Sequence, residues 1–91
     1  MENKALGEEI KSRVVSLCGI RLEYTLYRSF RRVGRRYSFS VALHQTDADG
    51  IGEAYAADVS RDRRRAEEIF AVLTRGKVTV CTFFEILDEI L

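Results

Sequence analysis

Two stretches near the middle of the chain alternate apolar and polar residues with a period of two, on either side of one turn-forming pair. In "IRLEYTLY" Ile20, Leu22, Tyr24 and Leu26 share one face, and Arg21, Glu23, Thr25 and Tyr27 share the other. In "YSFSVALH" Tyr37, Phe39, Val41 and Leu43 alternate with Ser38, Ser40, Ala42 and His44. Successive side chains of a strand point to opposite faces, so each stretch reads as a half-buried strand. Between them lies "FRRVGRRYSF". With Val33-Gly34 as the turn, Arg32 faces Arg35, Phe30 faces Tyr37, Leu26 faces Val41 and Tyr24 faces Leu43. The register that closes the turn also gathers the apolar residues on one face, and a one-residue slip would scatter them. Valine tolerates positive φ poorly, so a primed turn is disfavoured and a bulge or longer loop is expected at the tip.

The same test extends in both directions. A turn at Cys18-Gly19 pairs Leu17 with Ile20 and Val15 with Leu22. A turn over Asp47 to Ile51 leads to a fourth strand, in which Tyr55, Ala57 and Val59 are expected inward, opposite Leu43, Val41 and Phe39. Beyond Ser60 the period becomes helical. Ala66, Ile69, Phe70 and Leu73 form one stripe, with Ser60 as the expected N-cap and Gly76 as the stop. Val80, Phe83, Ile86, Leu87 and Ile90 form a second stripe, with Thr79 as its expected N-cap. Two amphipathic helices must bury their stripes on the one apolar sheet face. The fold class is therefore α+β, an antiparallel meander of three to four strands with a C-terminal helical hairpin on one face. Residues 1–10 are expected to be a frayed lead-in, and residues 11–91 a single domain. At 91 residues the chain can bury one modest core.

"DVSRDRRRAEEIFAVLTRGKVTVCTFFEILDEIL", about the last third of the chain, resembles the helical half of a family of short bacterial domains of unknown function. In that family a meander ends in Asp-apolar-Ser/Thr, and the last helix opens with Val-x-Pro and closes with an acidic, apolar tail. Asp58, Ser60, Val78, Asp88, Glu89 and Leu91 match this pattern, whereas Val80 stands at the proline position and Thr82 at a frequent histidine position. The resemblance implies the same α+β architecture and carries no activity with it.

Several function classes are disfavoured. Fifteen basic side chains against fourteen acidic ones give a net charge of +1, whereas a dedicated nucleic-acid binder usually has a clear basic excess. No apolar run approaches a membrane span and no signal peptide is visible, so a cytoplasmic protein is expected. Cys18 and Cys81 lack the spacing of a zinc site or redox pair, and two reduced thiols are expected, Cys18 at a turn and Cys81 packed in the last helix. "QTDADGIGEAYA" puts Asp47 and Asp49 where a calcium loop has carboxylates, but Gln45 and Ala56 hold its first and last ligand positions. It reads as a hairpin loop. His44, the single histidine, is expected to face solvent on the sheet. No phosphate loop or nucleophile motif occurs, so neither an enzyme nor a cofactor is expected.

The arginines remain. Arg28, Arg31, Arg32, Arg35 and Arg36 flank the central turn, and Arg61, Arg63, Arg64 and Arg65 open the first helix, where cations oppose the helix dipole. The strand pairing brings both groups to one pole. Arg28, Arg31, Arg32, Arg35, Arg36, Arg61, Arg64 and Arg65 are thus candidate anion- or partner-binding residues. One reading is internal neutralisation by Asp58, Asp62, Glu67, Glu68 and the acidic last helix. The other is a site for phosphate groups or nucleic acid, with Tyr27, Phe30 and Tyr37 nearby for stacking. The first is favoured, because charge runs are usually solvated faces. The functional expectation is a non-catalytic protein-interaction or regulatory accessory module. It would use a sheet face of small residues (Ser38, Ser40, Ala42, Ala54, Ala56) to receive an unknown protein or a second copy. Nucleic-acid or phosphate binding is the alternative.

Overall fold

The computed structural model describes residues 7–91. Four strands, β1 (Glu8–Leu17), β2 (Ile20–Arg31), β3 (Arg36–Asp47) and β4 (Gly50–Ser60), form an antiparallel meander in the order β1-β2-β3-β4. Helices α1 (Arg63–Arg75) and α2 (Phe83–Ile90) follow and pack against it. β1 starts at Glu8, so residues 8–10 belong to the sheet and not to a lead-in. Residues 1–6 of that expected segment lie outside the described residues.

The two upstream registers are as the alternation dictates. Leu17 pairs with Ile20 and Val15 with Leu22, while Leu26 pairs with Val41 and Phe30 with Tyr37. Leu22, Tyr24, Leu26, Phe39, Val41 and Leu43 are buried under Ala66, Ile69, Phe70 and Leu73 of α1 and Phe83 and Leu87 of α2. One buried hydroxyl ties the layers together: Tyr24 Oη donates to the Val78 carbonyl at 2.6 Å.

β4 departs from expectation by one residue. Its turn is the two-residue Ala48-Asp49, with Asp47 paired to Gly50, so Leu43 faces Ala54 and Val41 faces Ala56. A one-residue slip exchanges faces. Ala54 and Ala56 therefore pack in the core, and Tyr55 stands on the outer face opposite Ala42. A bulge then restores Val59 to the core side, with Asp58 at φ 55°.

Helix ends also shift. Asp62, not Ser60, caps α1 by accepting the Arg64 N–H, while Ser60 Oγ accepts the Asp62 N–H and so supports the cap. Gly76 ends α1, but the left-handed residue is Lys77, at φ 50°. Lys77 N–H bonds to the Thr74 carbonyl and Val78 N–H to that of Leu73, which is the Schellman pattern with its apolar Val78–Leu73 contact. α2 begins at Phe83 with Thr82 as N-cap, because Thr79 closes a turn onto Thr82 and Gln45 Oε1 accepts the Val80 N–H. Cys81 falls in that turn and is exposed, contrary to the expected packed helix position; Cys18 is exposed at its turn.

Candidate functional site

The hairpin tip overhangs the helices. β2 spans about 40 Å for its 12 residues and α1 only about 20 Å for its 13. Phe30, Tyr37 and Val33 are accordingly exposed, with Phe30 and Tyr37 packed edge to face. The tip is not a primed turn. Arg35 N–H bonds to the Arg32 carbonyl, and the positive φ values fall on Gly34 and Arg35, sparing Val33.

At this pole the arginines divide into two sets. Arg28 donates to Glu8 at 2.6 Å and stacks over Tyr37 at 4.6 Å. Arg31 and Arg36 are directly opposed on adjacent strands, which costs stability unless an anion intervenes. Asp58 intervenes: it accepts Arg31 at 2.6 Å and the Ser38 hydroxyl at 2.5 Å. These bonds, Ser38 first and Arg31 second, hold the Asp58 carboxyl below its ordinary range. Arg36 donates to the Val33 carbonyl, Arg63 pairs with Glu67 and Arg65 with Glu68; Arg65 also reaches the Ile90 carbonyl. Among the described residues, the side chains of Arg32, Arg35, Arg61 and Arg64 have no hydrogen-bonding or ion-pair partner. Neutralisation is thus real but incomplete.

The sheet face away from the helices offers a second surface. Ser38 and Ser40 do not belong to its open part, because both are only 2 % exposed. Asp58 folds over them, with its N–H bonded to Ser40 Oγ. Of the five small residues expected there, only Ala42 remains on the open face. It floors a concavity of about 590 Å³ together with Thr25, between Tyr27 and Tyr55, and rimmed by Glu9, Glu23, Glu53 and His44. Burial pushes the Tyr27 hydroxyl pKa up, a hydrogen bond to Thr25 pulls it back, and Glu9, Glu23 and Tyr55 raise it further. Glu23 is paired with Arg21 at 3.3 Å, and Glu53 with His44 Nδ1 at 3.0 Å. The surroundings are therefore net acidic and aromatic, suited to a cationic side chain, which can lie against a tyrosine ring and bond a carboxylate. The Asp47–Asp49 turn serves geometry instead, because Asp47 Oδ1 accepts the Asp49 N–H at 2.8 Å.

Sequence reasoning missed this concavity. Tyr27 and Glu23 were legible on the outward face, but the misplaced β4 register sent Tyr55 inward and broke up the cluster. The signal that locates it is the short Asp47-Ala48-Asp49-Gly50 turn, which fixes Glu53 and Tyr55 outward. Among the described residues no helix is long and apolar enough to cross a membrane, and no cluster of three or more His, Cys, Asp or Glu could hold a metal. Comparison with protein-family models, curated proteins and solved structures finds no match.

Proposed function

We propose that this domain is a small, non-catalytic protein-interaction module of the cytoplasm, which docks a protein partner on the outer face of its sheet. The observation that carries the reading is the concavity between Tyr27 and Tyr55, floored by Ala42 and Thr25 and rimmed by three glutamates. The exposed Tyr55 ring beside the small-residue floor gives contact area at low entropic cost, and the carboxylate rim selects a partner with basic residues. Ala42→Arg places bulk and positive charge in the middle of this surface. Proteins captured from nuclease-treated native extract by the wild type, and lost with a folded Ala42→Arg variant, are the expected result.

A second reading, anion or nucleic-acid binding at the hairpin pole, is favoured by the unpartnered side chains of Arg32 and Arg35. It predicts the opposite pattern. Capture would vanish on nuclease treatment or in an Arg32→Ser/Arg35→Ser variant, fall steeply with salt, and survive Ala42→Arg.

A further inference from the structure

We infer that the free edge of β1 is a further docking site, independent of the outer face, which takes an extended, acidic protein segment as an added antiparallel strand. Among the described residues β1 has a strand neighbour on one side only, β2. Its hairpin fixes which backbone groups are left over. Cys18 and Gly19 form a two-residue turn with φ 49° and 82°, so the flanking Leu17–Ile20 pair exchanges hydrogen bonds. Alternation then bonds Lys11, Arg13 and Val15 to β2 and directs the N–H and C=O of Ser12, Val14 and Ser16 away from the sheet. The pairing is unbroken from Lys11 to Leu17, about 23 Å of strand. β4, the other edge, is regular over Gly50–Ala56, but that run carries two glycines and no basic residue.

The side chains beside this edge select the chemistry of the partner. Lys11 and Arg13 pair with the buried Leu26 and Tyr24, hence lie on the helix side, where they line a groove of about 460 Å³ against Phe70, Ala71 and Arg75 of α1. Three cations, Lys11, Arg13 and Arg75, stand there against one carboxylate, Glu67, a net +2. Glu67 is already shared, accepting Arg63 at 2.9 Å and Lys11 at 3.5 Å. Among the described residues the Arg13 side chain has no hydrogen-bonding or ion-pair partner, and Arg75 donates only through Nε, to the Ala71 carbonyl. A strand added beside β1 faces Lys11 and Arg13 at non-hydrogen-bonded sites, about 4.5 Å apart at Cα, where side chains come closest. Two acids at alternate positions satisfy both cations. Aliphatic residues at the two preceding alternate positions cover Val15 and Leu17, which are only partly buried against the core. Small or β-branched residues between them lie beside Ser12, the exposed Val14 and Ser16. Main-chain bonds then supply affinity and the groove supplies selectivity. A second copy of β1 fits poorly, because antiparallel pairing centred on Lys11, Ser12 or Arg13 sets like charges opposite each other.

The test titrates the isotope-labelled protein with the end-blocked synthetic peptide Val-Thr-Val-Thr-Glu-Thr-Glu, whose residues run opposite Leu17 back to Lys11. Saturable, salt-weakened binding is expected, with amide exchange at Ser12, Val14 and Ser16 slowed about tenfold or more. The same peptide N-methylated at its threonines, or carrying lysine in place of glutamate, should bind about tenfold or more weakly. Two protein variants should bind as weakly. Arg13→Glu reverses a charge in the groove, and Val14→Pro removes an N–H that points away from β2, where an edge strand tolerates proline. Should Val14→Pro fail to fold, the N-methylated peptide probes the same ladder from the other strand. Ala42→Arg should bind the peptide like the wild type, so the outer-face reading and this one fail separately. No binding at millimolar peptide overturns the inference. Undiminished binding of the N-methylated peptide, or its displacement by an equal amount of single-stranded DNA, overturns it as well, since charge alone would then be recognised. Protection of the same amides by rising concentration of the protein alone would make a second copy the occupant and also overturn it.

Discussion

Tyr24 offers the sharpest test of how the two layers are joined. Its side chain is fully buried, and its hydroxyl donates to the Val78 carbonyl in the connection between α1 and α2. Tyr24→Phe keeps the ring and removes only the hydroxyl. The loss comprises a net hydrogen bond of about 1 kcal/mol and the cost of leaving the shielded carbonyl without its donor, so about 1–3 kcal/mol in all. A second signature follows from titration. Burial raises the Tyr24 pKa from the ordinary 10.0 to about 12. A raised folded pKa means that the neutral form is favoured by folding. The contribution is complete below the unfolded pKa near 10 and is lost as pH rises through the folded value near 12. Two pKa units correspond to roughly 2–3 kcal/mol, so the wild type should lose about that much from this site across the window while Tyr24→Phe loses none. The chain has no tryptophan, so urea denaturation followed by far-UV circular dichroism is the assay. The gap between the two proteins should be widest at pH 7 and close toward pH 12. A gap below about 0.5 kcal/mol at pH 7, or one that stays constant to pH 12, would refute a buried Tyr24–Val78 bond.

Leu87→Ala empties a buried site against the sheet and should cost about 2–5 kcal/mol in the same titration; a loss under about 1 kcal/mol would contradict the assigned core. Lys77→Gly should stabilise the protein by about 0.5–1 kcal/mol, because Lys77 holds a left-handed φ of 50° that glycine adopts without strain; destabilisation would contradict the Schellman geometry. Asp58 has a lowered pKa, so its contribution is present above the ordinary carboxylate pKa and is lost as pH falls through the folded value. Asp58→Asn should therefore be less stable at pH 7 and flatten the acid limb of the stability profile; an unchanged acid limb would contradict the Ser38–Asp58–Arg31 linkage.

The parts of the fold that were legible in the sequence are those where two independent signals coincide. For β2 and β3, the Val33-Gly34 turn and the alternation of Leu22, Tyr24 and Leu26 with Phe39, Val41 and Leu43 specify one register. For β4 they conflict. Hydrophobicity favours Tyr55 inward, yet the two-residue Ala48-Asp49 turn sends it out and puts Ala54 and Ala56 under the helices. The bulge at Asp58 was illegible because its driving force is tertiary: a carboxylate is drawn between opposed arginines and over two serines. The same bulge covers Ser38 and Ser40, so the small-residue face narrows to the ground around Ala42. Lys77 in place of glycine hid the end of α1 in a similar way, since the glycine that marks the stop stands one residue early.

The claim that the outer sheet face is the docking surface is tested most directly by amide resonances of the isotope-labelled protein. It would be titrated with nuclease-treated native extract. Shifts and broadening should concentrate at Thr25, Tyr27, Ala42, His44, Glu53 and Tyr55, with Ile69, Leu73 and Leu87 unmoved. Changes confined to Arg32–Arg36 and Arg61–Arg65, or to the two helices, would contradict it.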